Sequence, residues 1–218
     1  MPMPDDLREG YQRFRQDRFS IEADLYRSLA KEQRPHSLII GCADSRVDPA
    51  TIFAAMPGEL FVVRNVAALV PPCEMHGTYH GTSAAIEFAI SGLSVERIVV
   101  LGHGLCGGVA AALAAAEDRP VGQFVGPWVE LLAAKREKLL GEMPDASHTF
   151  RQKALEQLAV KQSLENLMTY PFVNSAIDQS RLGLEGAWFS IADGCLEWLD
   201  QERSVFEIVR DGPDQETH

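Results

Sequence analysis

Cysteine is scarce in this chain. Four residues in 218, at positions 42, 73, 106 and 195, are too few and too scattered for the disulfide framework of a small secreted domain. Positive charge is short as well: 20 basic against 31 acidic side chains leave a net charge of −11, without the basic stripe that nucleic-acid binding requires. No apolar run approaches the roughly 18 residues of a membrane-spanning helix. Internal repeats and low-complexity segments are absent, and the start, Met1-Pro2-Met3-Pro4-Asp5-Asp6, carries neither the basic nor the apolar region of a secretory signal. These absences set the expectation of an acidic cytoplasmic protein with no nucleic-acid and no membrane partner.

What is present suits a folded core, since 46% of residues are hydrophobic and 23% charged. Residues 6 to 33 read as helix, with a narrow apolar stripe (Leu7, Tyr11, Phe14, Phe19, Ile21, Leu25, Leu29) and Ser20 as N-cap of a second segment. Short β-branched runs follow at Leu38 to Ile40, Leu60 to Val63 and Ile98 to Leu101. They alternate with helix-forming stretches at Thr82 to Ile90 and Val109 to Ala116. That alternation predicts an α/β domain around a mostly parallel sheet flanked by helices. Beyond residue 120 the chain turns helical, with Leu155, Leu158, Ala159, Leu164, Leu167 and Met168 on one face and Pro171 ending that helix. Two further strands, Gly186 to Ile191 and Cys195 to Leu199, flank a turn at Asp193-Gly194. The expected organisation is a helical arm over 1–34, a catalytic α/β domain over 35–210 and a disordered tail over 211–218.

The chemistry-bearing residues sit at strand ends. One strand runs into Gly41-Cys42-Ala43-Asp44-Ser45-Arg46, another into Gly102-His103-Gly104-Leu105-Cys106-Gly107-Gly108. Parallel strands end on one edge of a sheet, where ligands bind, so Cys42 can meet His103 and Cys106 there. Two thiolates and an imidazole suit Zn²⁺, and three protein ligands leave a fourth position open, as in catalytic zinc sites. Cys73 and Cys195 lie outside these motifs. Asp44 and Arg46, beside a ligand, can pair through two hydrogen bonds, which keeps the carboxylate ionised and oriented. The spacing Gly102-x-Gly104-x-x-Gly107 also matches the opening of a dinucleotide fingerprint. No second strand ending in an acidic residue follows it, so a nicotinamide site is not expected.

The paired motifs resemble the zinc signature of the β-carbonic anhydrases. The likeness extends through Pro57 to Ala67, Gly81 to Glu87 and Asn166 to Val173, and Gln33 points to the plant-like branch. The resemblance implies a β-carbonic anhydrase fold with a five-stranded sheet, one Zn²⁺ per subunit on Cys42, His103 and Cys106, and a homodimer or higher homo-oligomer clasped by the N-terminal helices. It implies reversible hydration of carbon dioxide to bicarbonate and a proton, a lyase reaction in which a zinc-bound hydroxide oriented by Asp44 and Arg46 attacks CO2. Gln33, Phe61, Val66, Phe88 and Gly107 would line the substrate pocket, which can form across a dimer interface. Phe88 departs from the tyrosine of many relatives. Ile39 and Phe189 replace the aromatic partners that would make Arg64 part of an inhibitory bicarbonate site, which favours an open metal site. His76, Tyr79 and His80 share a loop that could carry protons. Hydrolysis of carbonyl sulfide or carbon disulfide on the same fold is the alternative.

Overall fold

The computed structural model describes residues 3–76, 79–117 and 119–210; the expected tail over 211–218 lies outside them. The chain divides into two compact units, Met1–Arg34 and Pro35–His218. The first holds helices α1 (Asp5–Arg13) and α2 (Ala23–Leu29), with a π-helical stretch Phe14–Phe19 between them. Phe14, Phe19 and Tyr26 cluster there, Phe14 and Tyr26 edge to face and the other two pairs tilted. Ser20 is not the N-cap the sequence suggested. Its hydroxyl donates back to the Gln16 carbonyl, the competing use of a serine inside a helical turn, and α2 starts after Glu22.

The second unit is built on a six-stranded sheet in the order β2-β1-β3-β4-β5-β6. The strands are β1 (Ser37–Cys42), β2 (Leu60–Asn65), β3 (Arg97–His103), β4 (Gly183–Phe189), β5 (Leu196–Asp200) and β6 (Val205–Ile208). The first four in that order run parallel, and β5 and β6 add antiparallel. The sixth strand corrects the five implied by resemblance. It has four residues and follows the charged stretch Asp200–Arg203, so no run of apolar residues announces it.

The central strands are buried on both faces, which is why they read as continuous apolar runs. Leu38, Ile40, Ile98 and Val100 face one layer with Val160, Leu167, Tyr170 and Val173, while Ile39, Val99, Leu101 and Ala187 face the other. Helices α3 (Pro49–Ile52), α4 (Gly81–Glu87), α5 (Gly107–Ala115), α6 (Val125–Val129), α7 (Ala133–Glu142), α8 (His148–Leu167) and α9 (Pro171–Asp178) complete the unit. Pro171 opens α9 rather than ending α8, which stops at Leu167; a proline at the first helical position loses no hydrogen bond. Met168 is exposed and Leu158 half-buried, so the buried stripe of α8 lies elsewhere: Leu155, Glu156, Ala159, Val160, Ser163, Asn166 and Leu167. A third apolar cluster, beyond the sheet's C-terminal edge, packs Val109, Leu132, Leu139 and Leu155 around Cys42 and Cys106. No helix among the described residues is long and apolar enough to cross a membrane.

Candidate metal centre

Registered pairing fixes the geometry of the site. Gly41 of β1 lies beside Leu101 of β3, so Cys42 and His103, the last residues of their strands, emerge on one edge. The chain then turns through Gly104 and Leu105, and Leu105 takes a left-handed backbone, φ 56°. Cys106 follows as N-cap of α5. The turn needs its glycines for close approach. A Cβ on Gly102 would lie 2.7 Å from Val160 Cγ2, and one on Gly104 would lie 3.0 Å from Trp188 Cζ2. The dinucleotide-like spacing therefore reflects packing of the metal loop onto α8 and β4.

The donor atoms of Cys42, His103 and Cys106 lie within 4.8 Å of one another, and all three residues are buried. The two sulfurs are 3.9 Å apart. A tetrahedral ion with Zn–S of about 2.3 Å has an S···S edge of about 3.8 Å, so the spacing fits. His103 Nδ1 bonds the Gly104 carbonyl at 2.9 Å, which assigns the proton to Nδ1 and leaves Nε2 as an acceptor. Nε2 is buried and has no hydrogen-bond partner. A buried imidazole nitrogen without a partner is costly unless it ligates an ion. The thiols say the same. The Cys42 thiol is held well below its usual range, chiefly by its hydrogen bond with Cys106, and Cys106 is pushed up by the same contact and by burial. Two thiolates this close repel, and a divalent cation between them removes the conflict.

Asp44 and Arg46 meet beside this group. Arg46 donates Nε to Oδ1 at 2.9 Å and Nη2 to Oδ2 at 2.7 Å, and its backbone N–H reaches Oδ1 at 3.0 Å. These bonds hold the Asp44 carboxyl well below the ordinary carboxylate range. Nη2 also donates to the Leu105 carbonyl at 3.1 Å, tying the pair to the metal loop. Arg64 braces the other side, from Nε to the Cys42 carbonyl (2.8 Å) and from Nη2 to the Asp44 carbonyl (2.6 Å). The sequence marked Arg64 only for its position in another site; nothing in its spacing announced this work on the backbone.

Among the proposed pocket residues, the structure brings some to the metal edge and leaves others apart. Val66 follows β2 and packs on the start of α5, where Gly108 leaves room for it, and Gly107 is exposed beside it. Phe61 pairs with Leu38 while Cys42 pairs with Asn65, so it sits four residues, about 13 Å, down the strand from that edge. Phe88 packs on Phe61 with the rings tilted and their centroids 5.8 Å apart, and it is 51% exposed. Gln33 is exposed in the N-terminal unit. His76 and Tyr79 are exposed. The loop Val66–Val70, which contains left-handed Ala67 and Ala68, is pinned by polar side chains, of which Asn65 and Asn166 fell within the quoted motifs without an assigned role and Ser163 fell outside them. Asn65 bonds both the N–H and the carbonyl of Leu69, Ser163 bonds Ala68 and Val70, and Asn166 bonds the Val70 carbonyl.

Comparison with known proteins agrees with this geometry. A family model described as carbonic anhydrase matches residues 37–196. The chain is 35% identical over 195 residues to "Beta carbonic anhydrase 3" of Arabidopsis thaliana, covering 88% of this chain and 74% of that protein. Among solved structures, the β-carbonic anhydrase CcaA superposes with a TM-score of 0.87 at 30% identity, covering 94% of this chain and 92% of that one. A chain from the tetrameric β-carbonic anhydrases of Sordaria macrospora gives a TM-score of 0.74 at 32% identity, covering 89% and 92%.

Proposed function

The chain belongs to the β-carbonic anhydrase family, and from that premise we propose that it hydrates carbon dioxide reversibly at a zinc ion held by Cys42, His103 and Cys106. One observation carries the reading: a buried, partnerless His103 Nε2 beside two thiols 3.9 Å apart, next to a carboxylate locked by Arg46. The zinc, when bound, supplies the Lewis acidity that makes water a nucleophile near neutral pH.

The protein's own groups do the orienting. Asp44 Oδ1 already accepts two bonds from Arg46, and Oδ2 accepts one. A carboxylate oxygen has two acceptor sites, so Oδ2 keeps one free. There it accepts a hydrogen bond from the reacting water and turns the water's lone pair toward the carbon of CO2. Arg46 keeps Asp44 ionised, and through the Leu105 carbonyl it keeps the pair in register with Cys106.

The substrate pocket is completed by a second subunit. Val62 on edge strand β2 and Val66 just after it are 39% and 37% exposed, and Phe88, packed on Phe61, is 51% exposed. An unpaired strand edge with apolar side chains calls for a partner. A homodimer through this edge covers that patch and brings Phe61 and Phe88 toward a neighbouring metal edge. Free thiols kept as ligands suit a reducing compartment such as the cytoplasm.

Native mass spectrometry and isotope exchange between CO2 and water test the reading together. One zinc per chain, a dimer or larger assembly and rapid exchange are expected. Folded protein that takes up no zinc, or zinc protein without exchange, overturns it. Carbonyl sulfide supplied in parallel should be turned over far more slowly than CO2.

A further inference from the structure

Glu156 is the only carboxylate among the described residues that is buried, at 2% exposure. It lies on α8, and no cation pairs with it among the described residues. Three N–H groups surround it instead. Oε1 accepts from the backbone N–H of Cys106 at 2.9 Å and from Gln152 Nε2 at 3.1 Å. Oε2 accepts from the Trp188 indole N–H at 3.2 Å. A buried carboxylate without a counter-ion is expensive, and burial raises its proton affinity. Such a residue is retained where its geometry has a use.

The donors indicate the use. Cys106 is the N-cap of α5, and its side chain makes no capping hydrogen bond, which frees the thiolate for the ion. Its backbone amide is fixed from outside the helix, by Glu156. Trp188, the second anchor, lies on β4 with its ring against Gly104, 3.0 Å from where a Cβ would stand. One carboxylate thus clamps both ends of the turn from Gly104 to Cys106.

We propose that Glu156 is a positioning residue of the metal centre, setting the Cys106 amide so that its sulfur stands at tetrahedral spacing from that of Cys42 before the ion arrives. The assignment rests on the reading of Cys42, His103 and Cys106 as the zinc site. In Glu156→Gln one amide nitrogen must face an N–H donor, so either the Cys106 or the Trp188 contact becomes repulsive. Loss of an outer partner of this kind costs roughly 10–100-fold in metal affinity. Removing the indole donor relieves the conflict: in Glu156→Gln with Trp188→Phe the amide oxygen takes the Cys106 N–H and the NH₂ meets no donor.

The test is zinc loss to a chromogenic chelator, read with the thiolate-to-metal absorption bands of the cobalt-substituted protein. Glu156→Gln should release zinc about 10–100-fold faster and shift the cobalt bands. The double variant should recover most of both, which a general packing defect does not do. Should Glu156→Gln not fold, the double variant against Trp188→Phe alone carries the comparison, and near-equal zinc retention is expected. Unchanged release and spectrum in folded Glu156→Gln, or a double variant no better than the single one, overturns the assignment. Wild-type protein without zinc defeats the metal reading itself, a distinguishable failure.

Discussion

Two adjacent glycines at the start of α5 should respond in opposite ways to alanine. At Gly107 an added Cβ meets no atom within 4 Å. Alanine there gains about 0.4–1 kcal/mol from the lower entropy of the unfolded chain, or about 1–4 °C in Tm for a domain of this size. At Gly108 the same Cβ lies 2.7 Å from Val66 Cγ1, 2.9 Å from Ala67 Cβ and 3.2 Å from Ala67 N. Val66 can rotate away; Ala67 cannot, because the contact is with its Cβ and backbone. Carbon atoms settle near 3.5 Å or more, so α5 must retreat by about 0.6 Å and take Cys106 with it. Overpacking of this kind costs about 1–3 kcal/mol, which offsets the alanine gain and leaves a net loss of up to about 2.6 kcal/mol. A metal site tolerates displacements of only about 0.2 Å, so zinc affinity should fall more steeply than stability. Calorimetry and chelator competition on both variants decide the matter. Gly108→Ala that melts as high and holds zinc as well as Gly107→Ala refutes the packing account of this loop.

Cys106→Ser should lose stoichiometric zinc after dialysis against a mild chelator, as metal analysis will show; full retention means the ligand set is wrong. Arg46→Ala removes the bonds that depress the Asp44 pKa. A depressed carboxyl is ionised above its folded pKa, so wild-type activity should owe no loss above pH 5 to Asp44, whereas the variant should gain an acid limb near the usual carboxylate value of about 4. Steady-state profiles check this, and an identical acid limb contradicts it. The contribution of the Asp44 pair to stability, with its sign, is present above that usual value and fades as pH falls below it. Two thiolate ligands offset the zinc charge, so CO2 hydration should climb between about pH 7 and 9; a flat profile there opposes the ligand assignment. Phe88→Asp should weaken the oligomer through the β2 edge, measured by sedimentation, and an unchanged assembly rejects that interface.

The parts of the fold legible in the sequence were those written in runs of like residues. Leu38 to Ile40 and Ile98 to Leu101 announce strands buried on both faces, and the residues after them reach one edge by topology alone, which is why Cys42, Asp44, His103 and Cys106 were found together. The site's supports were harder to read because they are polar residues inside an apolar stripe. Glu156, Ser163 and Asn166 interrupt the buried face of α8 at positions set among Leu155, Ala159, Val160 and Leu167. Counting only apolar residues moved the inferred face toward Leu158 and Met168, and a polar residue at core spacing was the unused signal. Ala67, Ala68 and Leu105 hold left-handed backbone without glycine, so no composition cue marks these turns; side-chain bonds from elsewhere impose them. Phe61 and Phe88 read as pocket residues by likeness, yet Phe61 stands four residues down β2 from the metal edge and Phe88, on the helical stretch after α4, packs against it; neither position is marked by local patterning.

The central claim is that Asp44, held by Arg46, orients water at the zinc site. Stopped-flow CO2 hydration from pH 6 to 9, on wild type and Asp44→Asn carrying the same measured zinc, tests it most directly. An amide keeps the shape but lacks the ionised acceptor, so at equal zinc content kcat/KM should fall by about 10²-fold or more across the range. Equal rates in the two proteins at equal zinc would contradict the account.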